Sequence, residues 1–236
     1  MKMNFLKSIS ILVIVFVLTC CSGNSDNNNP DPQTTLEFQK ITNVSYGTES
    51  RQIYDIYLPE GRTASTKVMI LVHGGGWSSG DKSSMEPIIT LYRNNLPDVA
   101  IVNINYRLSD ANNPPYPMQT DDITLVVNQL KAKKNEYVIS EDYGFLGASA
   151  GAHLSLLWSY AFDTQSNVNM VCSIVGPTNF TDPAYLNNND PLLQELIAAF
   201  GINPTTEYLE EASPFHQVTS SAPPTIMFYG GQDQLV

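Results

Sequence analysis

Two short stretches of this chain, Val68-Met69-Ile70-Leu71-Val72 and Val99-Ala100-Ile101-Val102-Asn103-Ile104, are apolar almost without interruption. A strand with one face in water alternates polar and apolar residues, whereas a strand covered on both faces does not. The two runs therefore predict central strands of a mostly parallel sheet with helices on both faces. Gln52 to Leu58 alternates, as a half-exposed antiparallel strand would, and Phe145-Leu146, Val171 to Val175 and Thr225 to Tyr229 supply further strand segments. Ile123, Val126, Val127 and Leu130 follow helical spacing, with Asp121 and Asp122 near the start and Lys131, Lys133 and Lys134 near the end, which suits a helix dipole. Leu192, Leu193, Leu196 and Ile197 mark another helix inside a long excursion from about Pro177 to Pro224. Strand-like and helix-like segments alternate from about Glu37 onward, the pattern of one α/β domain.

With 42% hydrophobic and only 15% charged residues, the 236-residue chain is neither disordered, collagen-like nor coiled-coil. Its 12 Lys and Arg against 23 Asp and Glu exclude electrostatic tracking of nucleic acid or adhesion to anionic lipid. Lys2 and Lys7 precede an apolar run from Ile9 to Leu18 that is about half of what a membrane-spanning helix requires, so the run reads as a secretory leader. Leu18-Thr19-Cys20-Cys21 resembles a lipobox, with Cys21 as the expected lipid acceptor and Cys20 as the less regular choice. Losing Lys2 and Lys7 with the leader leaves ten cations against 23 acids, a mature balance of −13. The expected organisation is a leader over 1–20, a polar tether over 21–36 and a domain over 37–236. The protein would then be lipid-anchored in a bacterial cell envelope, facing away from the cytoplasm. Ser22 follows the acceptor where inner-membrane retention would favour Asp, so the outer membrane is expected. Cys172 is left as a buried core thiol without an intrachain partner.

Gly147-Ala148-Ser149-Ala150-Gly151 follows a strand segment and precedes the helix-like Ala152 to Trp158. Small residues on both sides of a serine permit a sharp strand-to-helix turn that lifts the hydroxyl clear of the sheet. His73-Gly74-Gly75-Gly76-Trp77 sits at the end of the Val68 to Val72 run. Bare N–H groups of Gly75 and Gly76, with that of Ala150 at a helix start, suit a developing oxyanion. The loop lacks the Gly-Lys-Ser/Thr ending and the G-x-G-x-x-G spacing of phosphate-binding loops.

With these motifs in place, the chain resembles α/β-hydrolases of the esterase type with an HGGGW oxyanion loop, and most of all the bacterial group that includes acetylxylan and feruloyl esterases. The matching pieces are Tyr54 to Pro59, His73 to Trp77 continuing to Gly80-Asp81-Lys82, Asn105 to Leu108, Tyr116-Pro117 with Gln119 and Asp122, Gly147 to His153, Ser213-Pro214 and Tyr229 to Val236. The resemblance implies a Ser, Asp, His order, with Ser149 as nucleophile and Asp233 as the acid. It places the histidine after Asp233, beyond residue 236. His73 is expected to hold the loop backbone, His153 to point into helix packing, and His216 to lie before the acid. The expectation is a fragment lacking about 30 to 60 residues, including the final strand, helix and base, and hence nearly inactive as written. The implied substrate is an acylated carbohydrate bearing acetyl or feruloyl groups, with no metal or organic cofactor. Kynurenine formamidases and some peptidases share most of these pieces, and a non-catalytic glycan-binding lipoprotein on the same scaffold stays open. Trp77, Tyr106 and Tyr116 are candidates either for an aromatic acyl pocket or for the core; the oligomeric state is not specified.

Overall fold

The computed structural model describes residues 35–187 and 189–231. The Cys20-Cys21 pair, most of the expected tether and Asp233 lie outside the described residues. Seven strands form one sheet: β1 (Gln39–Ser45), β2 (Ile53–Leu58), β3 (Val68–Val72), β4 (Ala100–Ile104), β5 (Tyr143–Ala148), β6 (Val168–Ile174) and β7 (Thr225–Phe228), in the spatial order β1-β2-β4-β3-β5-β6-β7. β1 and β2 are antiparallel, β2 is antiparallel to β4, and the remaining pairs are parallel. Every residue of β3 and β4 is buried, as their unbroken apolar pattern requires. All four residues of β7 are exposed.

β2 corrects the expectation of a half-exposed strand, because Tyr54 to Leu58 are all buried. Its alternation is not a solvent pattern; the polar atoms meet partners inside. The Tyr54 hydroxyl lies 2.9 Å from that of Tyr137, the Tyr57 hydroxyl donates to Glu86 at 3.0 Å, and Asp55 pairs with Lys82 at 2.7 Å.

Seven helices cover the sheet among the described residues: α1 (Glu86–Asn95), α2 (Pro115–Tyr137), α3 (Ala150–Ala161), α4 (Pro183–Leu186), α5 (Pro191–Ala198), α6 (Thr206–Glu211) and α7 (Pro214–Gln217). A 3₁₀ turn over Lys82–Met85 precedes α1. The larger core joins Ile123, Val126 and Leu130 of α2 and Leu154 and Trp158 of α3 to Ile70, Val102 and Phe145 of the sheet. A smaller core joins Ile89 of α1 and Met85 to Leu71, Ile101 and Cys172. Cys172 is buried and unbridged, and its burial raises the thiol pKa.

Tyr116, at φ −103° and ψ 132°, breaks the first turn of α2, and Asp122 does not serve the helix dipole. The carboxylate is wholly buried and accepts from the Gln52 amide, the Arg107 backbone N–H and the Arg107 Nε–H, each at 2.8 Å. A buried carboxylate needs such partners to offset the hydration it loses. The result ties the turn after β1, the loop after β4 and α2 into one cluster.

Candidate active site

The turn between β5 and α3 is Ser149, whose backbone lies at φ 51° and ψ −121°. Such a conformation costs about 1–3 kcal/mol and persists only when its surroundings enforce it. Here they do. The Ser149 N–H donates to the Ile174 carbonyl at the end of β6 at 2.8 Å, while its carbonyl accepts from Ala152 N at 2.9 Å and His153 N at 3.0 Å. Gly151 explains the small residue that follows: a Cβ there would lie 2.2 Å from the Val72 carbonyl oxygen and 2.3 Å from that of His73. The elbow is thus pressed onto the end of β3, where the glycine-rich loop begins. The Ala150 N–H, at the start of α3, has no acceptor among the described residues.

The loop is aimed by its carbonyls. The imidazole of His73 is fully buried and stacked on Tyr106 at 4.3 Å, and its Nδ1 lies 2.6 Å from the Gly74 oxygen. Gly75 holds φ 129°, and its carbonyl accepts from both the backbone N–H of Ser79, at 2.9 Å, and the Ser79 hydroxyl, at 2.7 Å. In a trans peptide the C=O and N–H point in opposite directions. Holding the Gly74 oxygen on His73 therefore turns the Gly75 N–H away from that ring, and holding the Gly75 oxygen on Ser79 turns the Gly76 N–H away from Ser79. Neither N–H has an acceptor among the described residues, and Gly75, Gly76 and Ser149 line one cavity of about 630 Å³.

Trp77 belongs to the support rather than to an acyl pocket of ring faces. Its side chain is buried, edge-on to Phe200 at 5.1 Å, and its indole N–H donates to His153 Nδ1 at 3.0 Å. Its carbonyl accepts from the Gln119 side chain at 2.7 Å and from Ser109 N at 3.0 Å. Tyr106 is equally buried and donates its hydroxyl to the His73 carbonyl at 2.8 Å. Tyr116 is half-buried beside Tyr208, 5.7 Å between ring centres. Of the aromatic pocket candidates, Trp77 lines the cavity, and Tyr106 and Tyr116 do not. Its opposite wall comes from the excursion: Glu195, Leu196, Ala198 and Ala199.

All three histidines of the chain are placed, and none hydrogen-bonds Ser149. His153 takes the indole N–H on Nδ1 and donates from Nε2 to the Ala212 carbonyl at 2.7 Å; complete burial lowers its pKa to about 4 against that bond. His216 is exposed on α7, with Nε2 2.7 Å from the Thr181 hydroxyl. Motif reading passed over Arg51 and Ser79, whose contacts with the loop appear only in three dimensions.

The family model described as BD-FAE matches residues 54–236. Esterase LipC of Mycobacterium tuberculosis is 26% identical over 211 residues, 82% of this chain and 51% of LipC. The chain spans about half the length of the curated relatives it matches. Among solved structures, the bifunctional GH43-CE protein of Bacteroides eggerthii superposes with a TM-score of 0.68 at 21% identity, covering 84% of this chain and 31% of the other. A truncated carbohydrate esterase from gut microbiota gives a TM-score of 0.65 at 21% identity, covering 84% and 78%. Strand order, serine turn and family match agree: this chain has the α/β-hydrolase fold and belongs to the BD-FAE family.

Proposed function

We propose that the protein hydrolyses carboxylic esters, with acylated carbohydrates as substrates and acetyl or feruloyl as the group removed. The observation that carries this reading is Ser149, held at a strained strand-to-helix turn and sharing a cavity with the outward N–H groups of Gly75 and Gly76. Ser149 Oγ attacks the ester carbon. The Gly75, Gly76 and Ala150 N–H groups receive the oxyanion, and the sugar hydroxyl leaves with the proton taken from Ser149. Water then releases the acid from the acyl-enzyme. By the family order Asp233 orients the histidine that carries this proton. The cavity of about 630 Å³ accommodates either acyl group, and the carbohydrate-esterase names of two structural relatives support the sugar. Lipidation of Cys21, with the domain outside the cytoplasm, belongs to the same proposal; Cys21→Ser should move the protein out of the membrane fraction.

The test uses protein expressed from its complete reading frame on p-nitrophenyl acetate, methyl ferulate and acetylated xylo-oligosaccharide. Ser149→Ala should lower kcat by at least about 10³-fold with an unchanged circular dichroism spectrum. Cleavage of peptide or formamide substrates alone would overturn the ester reading. One second reading is glycan binding without turnover on the same scaffold. Oligosaccharide binding with no hydrolysis would select it.

A further inference from the structure

Behind the glycine-rich loop, one guanidinium reaches the groups that hold it. Arg51, in the turn between β1 and β2, donates from Nε to the Tyr106 carbonyl at 3.0 Å and from Nη2 to the Gly80 carbonyl at 2.9 Å. The same Nη2 lies 3.5 Å from His73 Nε2, and Nη1 lies 4.0 Å from Asp81. Arg51 therefore touches the residue that opens the loop, the residue that closes it and the aromatic on which the imidazole is stacked.

A neutral imidazole has one N–H and one lone pair, and the bond made by one nitrogen decides the state of the other. The Gly74 oxygen, 2.6 Å from Nδ1, is an acceptor and demands a proton on Nδ1. Arg51 is a donor only, so Nε2 must offer its lone pair. With the proton on Nε2 instead, two lone pairs would face each other at the Gly74 contact, and an N–H would face a cation. Besides Arg51, the groups facing His73 are Tyr106, against its ring face, and Asp81, across the loop.

We propose that Arg51 is a positioning residue for the oxyanion loop: its guanidinium holds His73 in the neutral Nδ1–H form, which fixes the Gly74 carbonyl and thereby the direction of the Gly75 N–H. Burial and the Arg51 charge both hold the His73 pKa below the ordinary value, against the Gly74 bond and Asp81, so the neutral ring persists into mild acid. The role in turnover rests on the esterase reading; the tautomer does not.

The experiment pairs two-bond ¹H–¹⁵N spectra of His73 with steady-state kinetics on p-nitrophenyl acetate, in wild type, Arg51→Met and Arg51→Lys. Wild-type His73 should carry its proton on Nδ1. In Arg51→Met the Nε2–H form should gain population, the Gly75 amide resonance should move, and kcat should fall about tenfold with KM within twofold, a part of the 10²–10³ that a lost oxyanion donor costs. Arg51→Lys, which retains a donor for Gly80, should fall between the two and serves if Arg51→Met folds poorly. An Nε2–H ring in the wild type, or Nδ1–H and full kcat in both variants, would overturn the proposal. A wild type with no esterase activity would overturn the esterase reading and the role in turnover, while the spectra would still decide whether Arg51 sets the ring.

Discussion

On one side of the cavity, Gly75, Gly76, Trp77 and Ser149 all hold positive φ, and the carbonyls of Gly74, Gly75 and Gly76 are tied to His73 Nδ1, to Ser79 and to the Ser78 N–H. On the other side, Leu196, Ala198 and Ala199 sit on or just after an ordinary helix that is held by side chains. Leu193 and Phe200 are buried, and Phe200 packs on Phe180 at 4.4 Å. The first wall is specified by backbone direction, which the positive φ angles fix and which a Cβ on Gly75 would disturb by meeting the Ser79 carbonyl; the second is specified by volume, which neighbouring side chains can redistribute. On the proposed function, reaction chemistry and acyl preference would be written into different kinds of structure, and substitution should separate them.

The largest effect should come from the packing directly behind the first wall. Gly151→Val places carbon within 2.3 Å of two backbone oxygens at the end of β3, and backbone cannot swing aside as a side chain can. A loss of more than about 4 kcal/mol is expected, seen as failure to recover folded protein or a collapsed denaturant midpoint. A near-normal midpoint would mean that the wall is softer than its hydrogen bonding implies.

A smaller effect should appear at the joint between the walls, His153, which accepts from Trp77 on one side and donates to the Ala212 carbonyl on the other. Its folded pKa is about 4 against an ordinary 6.5, so between these values the unfolded chain binds the extra proton and the folded one does not. Stability should therefore fall as pH drops from 6.5 towards 4, by on the order of 3 kcal/mol in total. Urea midpoints across that window should fall less steeply in His153→Gln; an identical acid slope would remove His153 as the cause.

The second wall should give the smallest change in free energy. Ala198→Phe should narrow the cavity from the excursion side. The ratio of kcat/KM for methyl ferulate to that for p-nitrophenyl acetate should fall about tenfold, with the melting temperature nearly unchanged. A parallel loss on both esters would show that the two walls are not independent.

What the amino-acid order makes readable here is mostly local. The serine turn and the glycine loop are contiguous, and β3 and β4 announce burial because every residue in them is covered. β1 escapes such reading because it is a largely exposed edge strand with a register shift between Ile41 and Val44 and one neighbour, β2. α1 escapes it because Ile89 is the residue it buries. Asp122 looks like a helix-start charge when only its neighbours are considered; its Gln52 partner stands 70 residues away. The tyrosines of β2 look amphipathic until Tyr137 and Glu86 arrive from distant helices. Arg51 shows nothing locally, because its contacts lie 22 to 55 positions downstream.

The strained backbone of Ser149 has a consequence for descent. At φ 51° and ψ −121° glycine is the residue least penalised, so Ser149→Gly should relieve part of the about 1–3 kcal/mol stored there while removing the oxygen that the proposed mechanism requires. Selection for turnover and selection for a durable fold thus pull in opposite directions at this one position. In a lineage that no longer needs hydrolysis, drift at residue 149 would run downhill, and the serine should be lost before the glycines packed around it, whose replacement the fold resists.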